Sequence, residues 1–125
     1  MVPYCKGTSL EGNSLPTMKK TAVINFTFMK NIIEIRENDF QVDVQPGVGW
    51  MDLNEELAKQ GLYFPVDPGP GAGIGGMINT SCSGTNAYKY GTMRDWVMAL
   101  EVVLADGRII NLGTRAKKSS AGYNL

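Results

Sequence analysis

Apolar and polar side chains alternate over residues 22–27 (AVINFT), a β-branched and aromatic-rich stretch, and this predicts a strand. Asn31 precedes a second short strand at 32–36 (IIEIR). Glu37-Asn38-Asp39 reads as a turn, and residues 40–45 (FQVDVQ) alternate again until Pro46 and Gly47 end the run. The period then changes. Over residues 50–60 (WMDLNEELAKQ), Trp50, Leu53, Leu57 and Ala58 fall on one side of a helix. Asp52, Glu55 and Glu56 lie early and Lys59 late, in agreement with the helix dipole, and Gly61 sits where a left-handed stop belongs. Residues 95–105 (DWVMALEVVLA) form a long apolar, β-leaning run. Asp106-Gly107 is the strongest hairpin turn in the chain, and 108–112 (RIINL) returns. Together these elements predict an α+β class, with a mixed or antiparallel sheet flanked by short helices. Glu34, Glu37, Asp39 and Asp43 read as the solvated side of alternating strands rather than as an acid–base pair. Glu101 interrupts an apolar strand, either at a solvated edge or towards a ligand.

One stretch breaks the alternation. Residues 65–84 read PVDPGPGAGIGGMINTSCSG. Pro65, Pro68 and Pro70 fix φ and remove backbone donors, so the first half is neither a central strand nor a helix. The glycines that follow leave the backbone bare, and Asn79, Thr80, Ser81, Cys82 and Ser83 add small polar groups. Such a surface suits a phosphate-bearing ligand wrapped by N–H groups, although the same residues also build ordinary long loops. Residues 71–76 satisfy G-x-G-x-x-G, with Asp95 at a spacing that fits the ribose-binding acid of a Rossmann unit. The context does not fit: PVDPGP precedes the glycines where a buried strand belongs, and residues 80–91 read as loop where a crossover helix should run. A short helical turn starting near Ile74 or Gly75 is expected instead. A smaller glycine- and hydroxyl-bearing loop lies at 3–12 (PYCKGTSLEG). Only Met1 and Val2 precede it, so the strand that should deliver the chain into it is expected to be missing.

Composition narrows the chemistry. At 125 residues the chain is one domain at most, and its 43% hydrophobic and 19% charged residues are ordinary for a globular protein. Twelve basic residues balance twelve acidic ones without long like-charge blocks, which argues against a nucleic-acid partner. No apolar run is long enough for a transmembrane segment, and no targeting leader is visible. Cys5 and Cys82 lack metal-site spacing and are expected as reduced thiols. There is no histidine. A Ser-His-Asp triad, a histidine-ligated metal and a histidyl-linked flavin therefore cannot be built from this chain.

Residues 3–12, 45–47 (QPG) and 67–76 (DPGPGAGIGG) occur in an order and spacing that resemble the FAD-binding domain of the vanillyl-alcohol oxidase (PCMH) type. Residues 82–93 (CSGTNAYKYGTM) and 118–125 (KSSAGYNL) tighten the likeness to its D-lactate and 2-hydroxy-acid dehydrogenase branch, and set it apart from xanthine-dehydrogenase-type flavin domains. The resemblance implies non-covalent FAD as cofactor. It places Pro3, Tyr4, Cys5, Lys6, Gly7, Thr8 and Ser9 in a first pyrophosphate loop. A second loop comprises Asp67, Pro68, Gly69, Pro70, Gly71, Ala72 and Gly73, with Gly75 and Gly76. Thr80, Ser81, Cys82, Ser83 and Gly84 then run along the ribityl chain. The branch implies D-lactate as substrate (or glycolate or D-2-hydroxyglutarate), hydride transfer to the flavin, cytochrome c as electron acceptor, and a mitochondrial location. Its substrate domain, with its histidines and arginine, is absent from residues 1–125, which read as a partial FAD-binding domain truncated at both ends. No catalytic or metal residue is assigned; a short product that binds flavin weakly or not at all is the alternative. One departure stands out. The family usually has glycine where Lys6 stands, and a lysine there either adds attraction for the pyrophosphate or meets a φ > 0 that it tolerates poorly.

Overall fold

The computed structural model describes residues 1–116 and residue 120 and divides into two compact units, Met1–Arg94 and Asp95–Leu125. Short helices alternate with three two-stranded sheets, one parallel and two antiparallel, as the α+β class requires. The sequence block 118–125 lies, apart from Ser120, outside the described residues.

In the first unit, β1 (Val2–Tyr4) pairs in parallel with β2 (Val23–Asn25), with Val2 opposite Val23. The strand expected to be missing before the first loop is thus present, three residues long. β2 is shorter than its alternation suggested. The Asn25 side-chain oxygen accepts the Thr27 N–H at 2.9 Å, an Asx turn that bends the chain out of the strand. β3 (Ile32–Arg36) and β4 (Gln41–Val44) form an antiparallel hairpin closed by a 3-10 turn at Glu37–Asp39. Phe40, expected within the strand, instead adopts left-handed φ 53° and is 78% exposed, because it closes that turn. Glu34 and Asp43 lie opposite each other in the register, and both accept hydrogen bonds from Arg36. The carboxylate bond from Asp43 is the main cause holding the Arg36 guanidinium above its ordinary pKa. These carboxylates neutralise a cation, so they are no acid–base pair.

α1 (Trp50–Ala58) buries Leu53 and Leu57, whereas Ala58 is exposed, so the apolar stripe is narrower than its spacing suggested. Gly61 takes φ +70°. The Leu62 N–H donates to the Leu57 carbonyl at 3.0 Å and the Gly61 N–H to the Ala58 carbonyl at 3.1 Å, which is the glycine stop expected there. α2 (Ile74–Asn79) starts where a helical turn was expected and buries Ile74 and Met77. These side chains join Val48, Leu53, Leu57, Val66, Ala72 and Met93 in the core. Residues 80–91, read as loop, hold α3 (Ala87–Tyr90), and α4 (Met93–Trp96) takes the first residues of the run read as a long strand. Burial decides this: Met93 is 4% exposed, and its N–H donates to the Cys82 carbonyl at 2.9 Å.

In the second unit, β5 (Ala99–Val103) and β6 (Ile109–Gly113) pair antiparallel, with Glu101 opposite Asn111. The expected Asp106-Gly107 turn joins them, with Gly107 at φ +86° and the Asp106 carboxylate accepting the Arg108 N–H at 3.0 Å. Leu100 and Val102 are half-buried and Glu101 is exposed, as a solvated edge position would be. Among the described residues no helix is long and apolar enough to cross a membrane.

Candidate cofactor site

Two loops in the first unit share one property: most of their amides have no acceptor among the described residues, while several of their carbonyls accept hydrogen bonds. In the first, which follows β1, the Tyr4 carbonyl accepts the Phe26 N–H at 2.8 Å and the Cys5 carbonyl accepts the Thr27 hydroxyl at 3.2 Å. The N–H groups of Cys5, Lys6, Gly7, Thr8 and Ser9 have no acceptor among the described residues. Gly7 carries the left-handed turn at φ +67°, buttressed by the Tyr4 ring, and Lys6 takes no positive φ. The departure from glycine at position 6 therefore costs no backbone strain. Pro3 and Tyr4, read as loop residues, belong to β1.

The second loop repeats the pattern. The Ala72 carbonyl accepts the Trp50 N–H at 3.2 Å, while the Ile74 and Gly75 amides donate to the Val48 and Pro46 carbonyls, each at 2.8 Å. The amides of Gly69, Gly71, Ala72, Gly73 and Gly76 have no acceptor among the described residues, although Ala72 and Gly73 are themselves buried. Buried backbone donors are paired in folded proteins, so the Ala72 and Gly73 amides call for an external acceptor, and the more exposed amides beside them are open to the same one.

Pro46 interlocks the loops. Its carbonyl accepts both the Cys5 thiol at 3.2 Å and the Gly75 amide at 2.8 Å. A Cβ on Gly73 would lie 2.5 Å from Cys5 Sγ and 3.0 Å from Lys6 Cγ, and one on Gly75 would lie 2.7 Å from Pro46 Cβ. The first loop thus sits against the bare backbone of the second, and glycine is what allows it. Sequence reasoning read Pro46 as a strand terminator and as part of a matching block, and missed this role. It also missed Asn54, whose amide donates to the Phe64 carbonyl at 3.0 Å while its oxygen accepts the Phe64 N–H at 2.6 Å. That pair fixes the chain just ahead of the second loop. Neither is visible locally, since the contacts cross 41 and 10 residues of sequence.

Residues 80–84 follow α2. The Thr80 hydroxyl bonds back to the Gly76 carbonyl at 3.1 Å, Ser81 takes φ 44°, and the Cys82 N–H donates to the Met77 carbonyl at 3.0 Å. Burial pushes the Cys82 thiol pKa up, and Cys5 and Cys82 are both free thiols. Ser83 is exposed and Gly84 half-buried. Asp67, at the start of the second loop, turns its carboxylate to this segment, accepting the Thr85 hydroxyl and, at 2.9 Å, the Asn86 N–H. Those bonds hold its pKa below the usual carboxylate value, with Thr85 the larger cause. A surface cavity of about 720 Å³ lies elsewhere, between β3 and α1, where Ile32, Ile35, Asp52 and Glu55 line it. Its charged lining is mostly acidic (Glu34, Asp52, Glu55, Glu56) and it includes no residue of either loop, so it does not suit a diphosphate. No cluster of potential metal ligands occurs among the described residues.

Unpaired amides on two interlocked loops, the second largely bare of side chains and both with little cationic charge, have the chemistry to receive the diphosphate of a nucleotide cofactor. The family profile described as FAD binding domain matches residues 1–113, and the chain belongs to that family, with FAD as the cofactor. Over its whole length it is 50% identical to D-lactate dehydrogenase (cytochrome), mitochondrial, of Arabidopsis thaliana, and to D-lactate dehydrogenase (cytochrome) 1, mitochondrial, of Saccharomyces cerevisiae. It is 42% identical to glycolate oxidase subunit GlcD of Bacillus subtilis, again over its whole length. The chain spans 22% of the length of the first two relatives and 27% of the third. A solved structure of alkyldihydroxyacetonephosphate synthase superposes with a TM-score of 0.82 at 25% identity, covering 98% of this chain and 24% of that one. A mixed α and β cofactor domain with small sheets and short helices, as expected, is what the fold shows.

Proposed function

We propose that residues 1–125 form part of the FAD-binding domain of a mitochondrial D-lactate dehydrogenase that passes electrons to cytochrome c, the substrate domain lying outside this chain. The observation that carries this reading is the set of unpaired amides from Cys5 to Ser9 and at Gly69, Gly71, Ala72, Gly73 and Gly76, on loops interlocked through Pro46. They fit a diphosphate without salt bridges, and the bare glycines leave room for it. Bound non-covalently, FAD supplies the hydride acceptor for oxidation of the hydroxy acid. This chain's own residues bind and orient it. The amides of the first loop and those of Gly69, Gly71, Ala72, Gly73 and Gly76 would donate to the pyrophosphate, and residues 80–84 would flank the ribityl chain. No residue here takes a proton in the reaction. The 50% identity to the D-lactate enzymes favours D-lactate, and the likeness to a glycolate oxidase subunit makes glycolate the second reading.

The test uses the protein expressed from its complete reading frame. A yellow flavoprotein whose absorbance bleaches with D-lactate, and which then reduces cytochrome c, supports the assignment. Bleaching by glycolate or D-2-hydroxyglutarate but not D-lactate would move the substrate within the branch. Absence of flavin from the purified protein, with none taken up on adding FAD, would overturn the cofactor reading altogether. Cell fractionation tests the mitochondrial location independently.

A further inference from the structure

Asp67 is the acidic residue among those the resemblance assigns to the cofactor loops, and a carboxylate beside a diphosphate is repulsive. Its geometry shows what it does instead. Oδ2 accepts the Thr85 hydroxyl, and Oδ1 accepts the Asn86 N–H at 2.9 Å. The space that a Cβ on Gly84 would occupy is filled by Oδ1 and the main-chain oxygen of Asp67. Both carboxylate oxygens are thus spent on one segment, Gly84–Asn86, which sits against them as closely as backbone allows. Asp67 lies at the start of the second loop, and Gly84 follows the six-residue α2 that the loop feeds. At the loop's far end, Ile74 and Gly75 are pinned to Val48 and Pro46.

We infer that Asp67 is a positioning residue: its carboxylate latches the start of the second loop to Gly84–Asn86, holding the unpaired amides of Gly69–Gly73 in their cofactor-ready arrangement, and does not contact the cofactor. The latch acts through the loop it anchors. Loss of it leaves the core of Val48, Leu53, Leu57 and Met77 intact and lets the loop's amides diverge, so FAD leaves faster while the apoprotein stays folded. This rests on the FAD reading above.

The experiment measures FAD affinity and release for the complete protein and for Asp67→Ala, Asp67→Asn, Thr85→Val and the double variant Asp67→Ala/Thr85→Val. Asp67→Ala is expected to bind FAD about tenfold more weakly, through faster release, and to change the visible circular dichroism of the bound flavin. Asp67→Asn keeps an oxygen for the Asn86 N–H and recovers part of the loss. The double variant binds no worse than Asp67→Ala alone, since both changes cut the same bond. Should Asp67→Ala fail to fold, the milder Asp67→Asn and Thr85→Val still decide, each expected to weaken FAD severalfold with its flavin dichroism altered. Unchanged FAD release in folded Asp67 or Thr85 variants overturns the latch, as do losses that add in the double variant. A wild-type protein that takes up no FAD brings down the cofactor reading, and the inference falls with it. Normal uptake by wild type and by Asp67→Ala overturns the inference alone.

Discussion

Gly73→Ala tests whether the two loops are interlocked as tightly as their geometry requires. The added methyl carbon would stand 2.5 Å from Cys5 Sγ and 3.0 Å from Lys6 Cγ. Non-bonded carbon contacts settle near 3.5–4.0 Å, so the sulfur is roughly 1 Å too close, and the larger sulfur radius makes the conflict worse. The Lys6 stem can swing aside. Cys5 has less freedom, because its thiol is held on the Pro46 carbonyl at 3.2 Å and its own carbonyl accepts the Thr27 hydroxyl. Relief must come from the loops moving apart. Overpacking of this kind costs about 1–3 kcal/mol, and each ~1.4 kcal/mol that falls on the cofactor-ready arrangement weakens FAD about tenfold.

The clash names its own suppressor. Cys5→Ala removes the sulfur at the cost of one thiol hydrogen bond, about 0.5–1.5 kcal/mol at most. In the Cys5→Ala/Gly73→Ala double variant the methyl replaces the missing sulfur, so the two losses should fall short of additivity by about 1 kcal/mol or more. Independent sites add within about 0.3–0.5 kcal/mol. Denaturant titrations of the four proteins, alongside FAD titrations, give the coupling directly. Gly73→Ala as stable as wild type, or a double variant equal to the sum of the singles, would refute the interlock.

Three further outcomes follow from other contacts. The Asp67 carboxylate is held below its ordinary pKa, first by the Thr85 hydroxyl and then by the Asn86 N–H, so its contribution is complete above the ordinary carboxylate value and is lost as pH falls through the depressed one; stability measured from about pH 5 downwards should show that acid limb in wild type and not in Asp67→Asn. Asn54→Ala removes both bonds to the Phe64 backbone and should cost about 1–3 kcal/mol in denaturant titrations, with no change expected if those bonds merely decorate the surface. Lys6→Met keeps the stem against Gly73 and removes the charge, so FAD binding should become less sensitive to added salt; an unchanged salt dependence would show that the ammonium faces away from the phosphates.

Much of this was legible where the chemistry is local. Gly61 and Gly107 end a helix and turn a hairpin through φ values that glycine accepts, and both stand where their spacing placed them. The run of proline and glycine at 65–76 announced a bare backbone loop by composition alone. What stayed hidden depends on contacts between distant residues. Asp95 and Trp96 read as the start of a long strand because no local signal says that Met93 will be buried and will seat a helix beside the Cys82 carbonyl. Phe40 looked like a strand residue because nothing in its apolar character tells that the preceding 3-10 turn needs a left-handed closing position. Position 6 raised a question of strain that only the backbone could answer, and Gly7 answers it by taking the positive φ itself. Asp67 is the sharpest case. A motif places it among cofactor residues, and only the fold shows that its oxygens are already spent on Thr85 and Asn86.

The arrangement explains why a chain with balanced charge and no histidine can still offer a site for a dianionic group. Each loop leaves a run of N–H groups without a protein acceptor, so an anion could be met by backbone donors without any formal charge. Such a site is set by where the backbone runs. Its sensitive positions are therefore those that let the loops approach, Gly73 and Gly75 against Cys5 and Pro46, and Gly84 against Asp67. The hydroxyls of Thr8 and Ser9 would add donors to the cradle proposed for the amides, and Ser9 Oγ accepts from the Asn13 amide at 3.5 Å. Removing one hydroxyl would take away one of many donors, whereas a methyl at Gly73 would press on Cys5 and Lys6 of the other loop. In this site the smallest residues carry the most information.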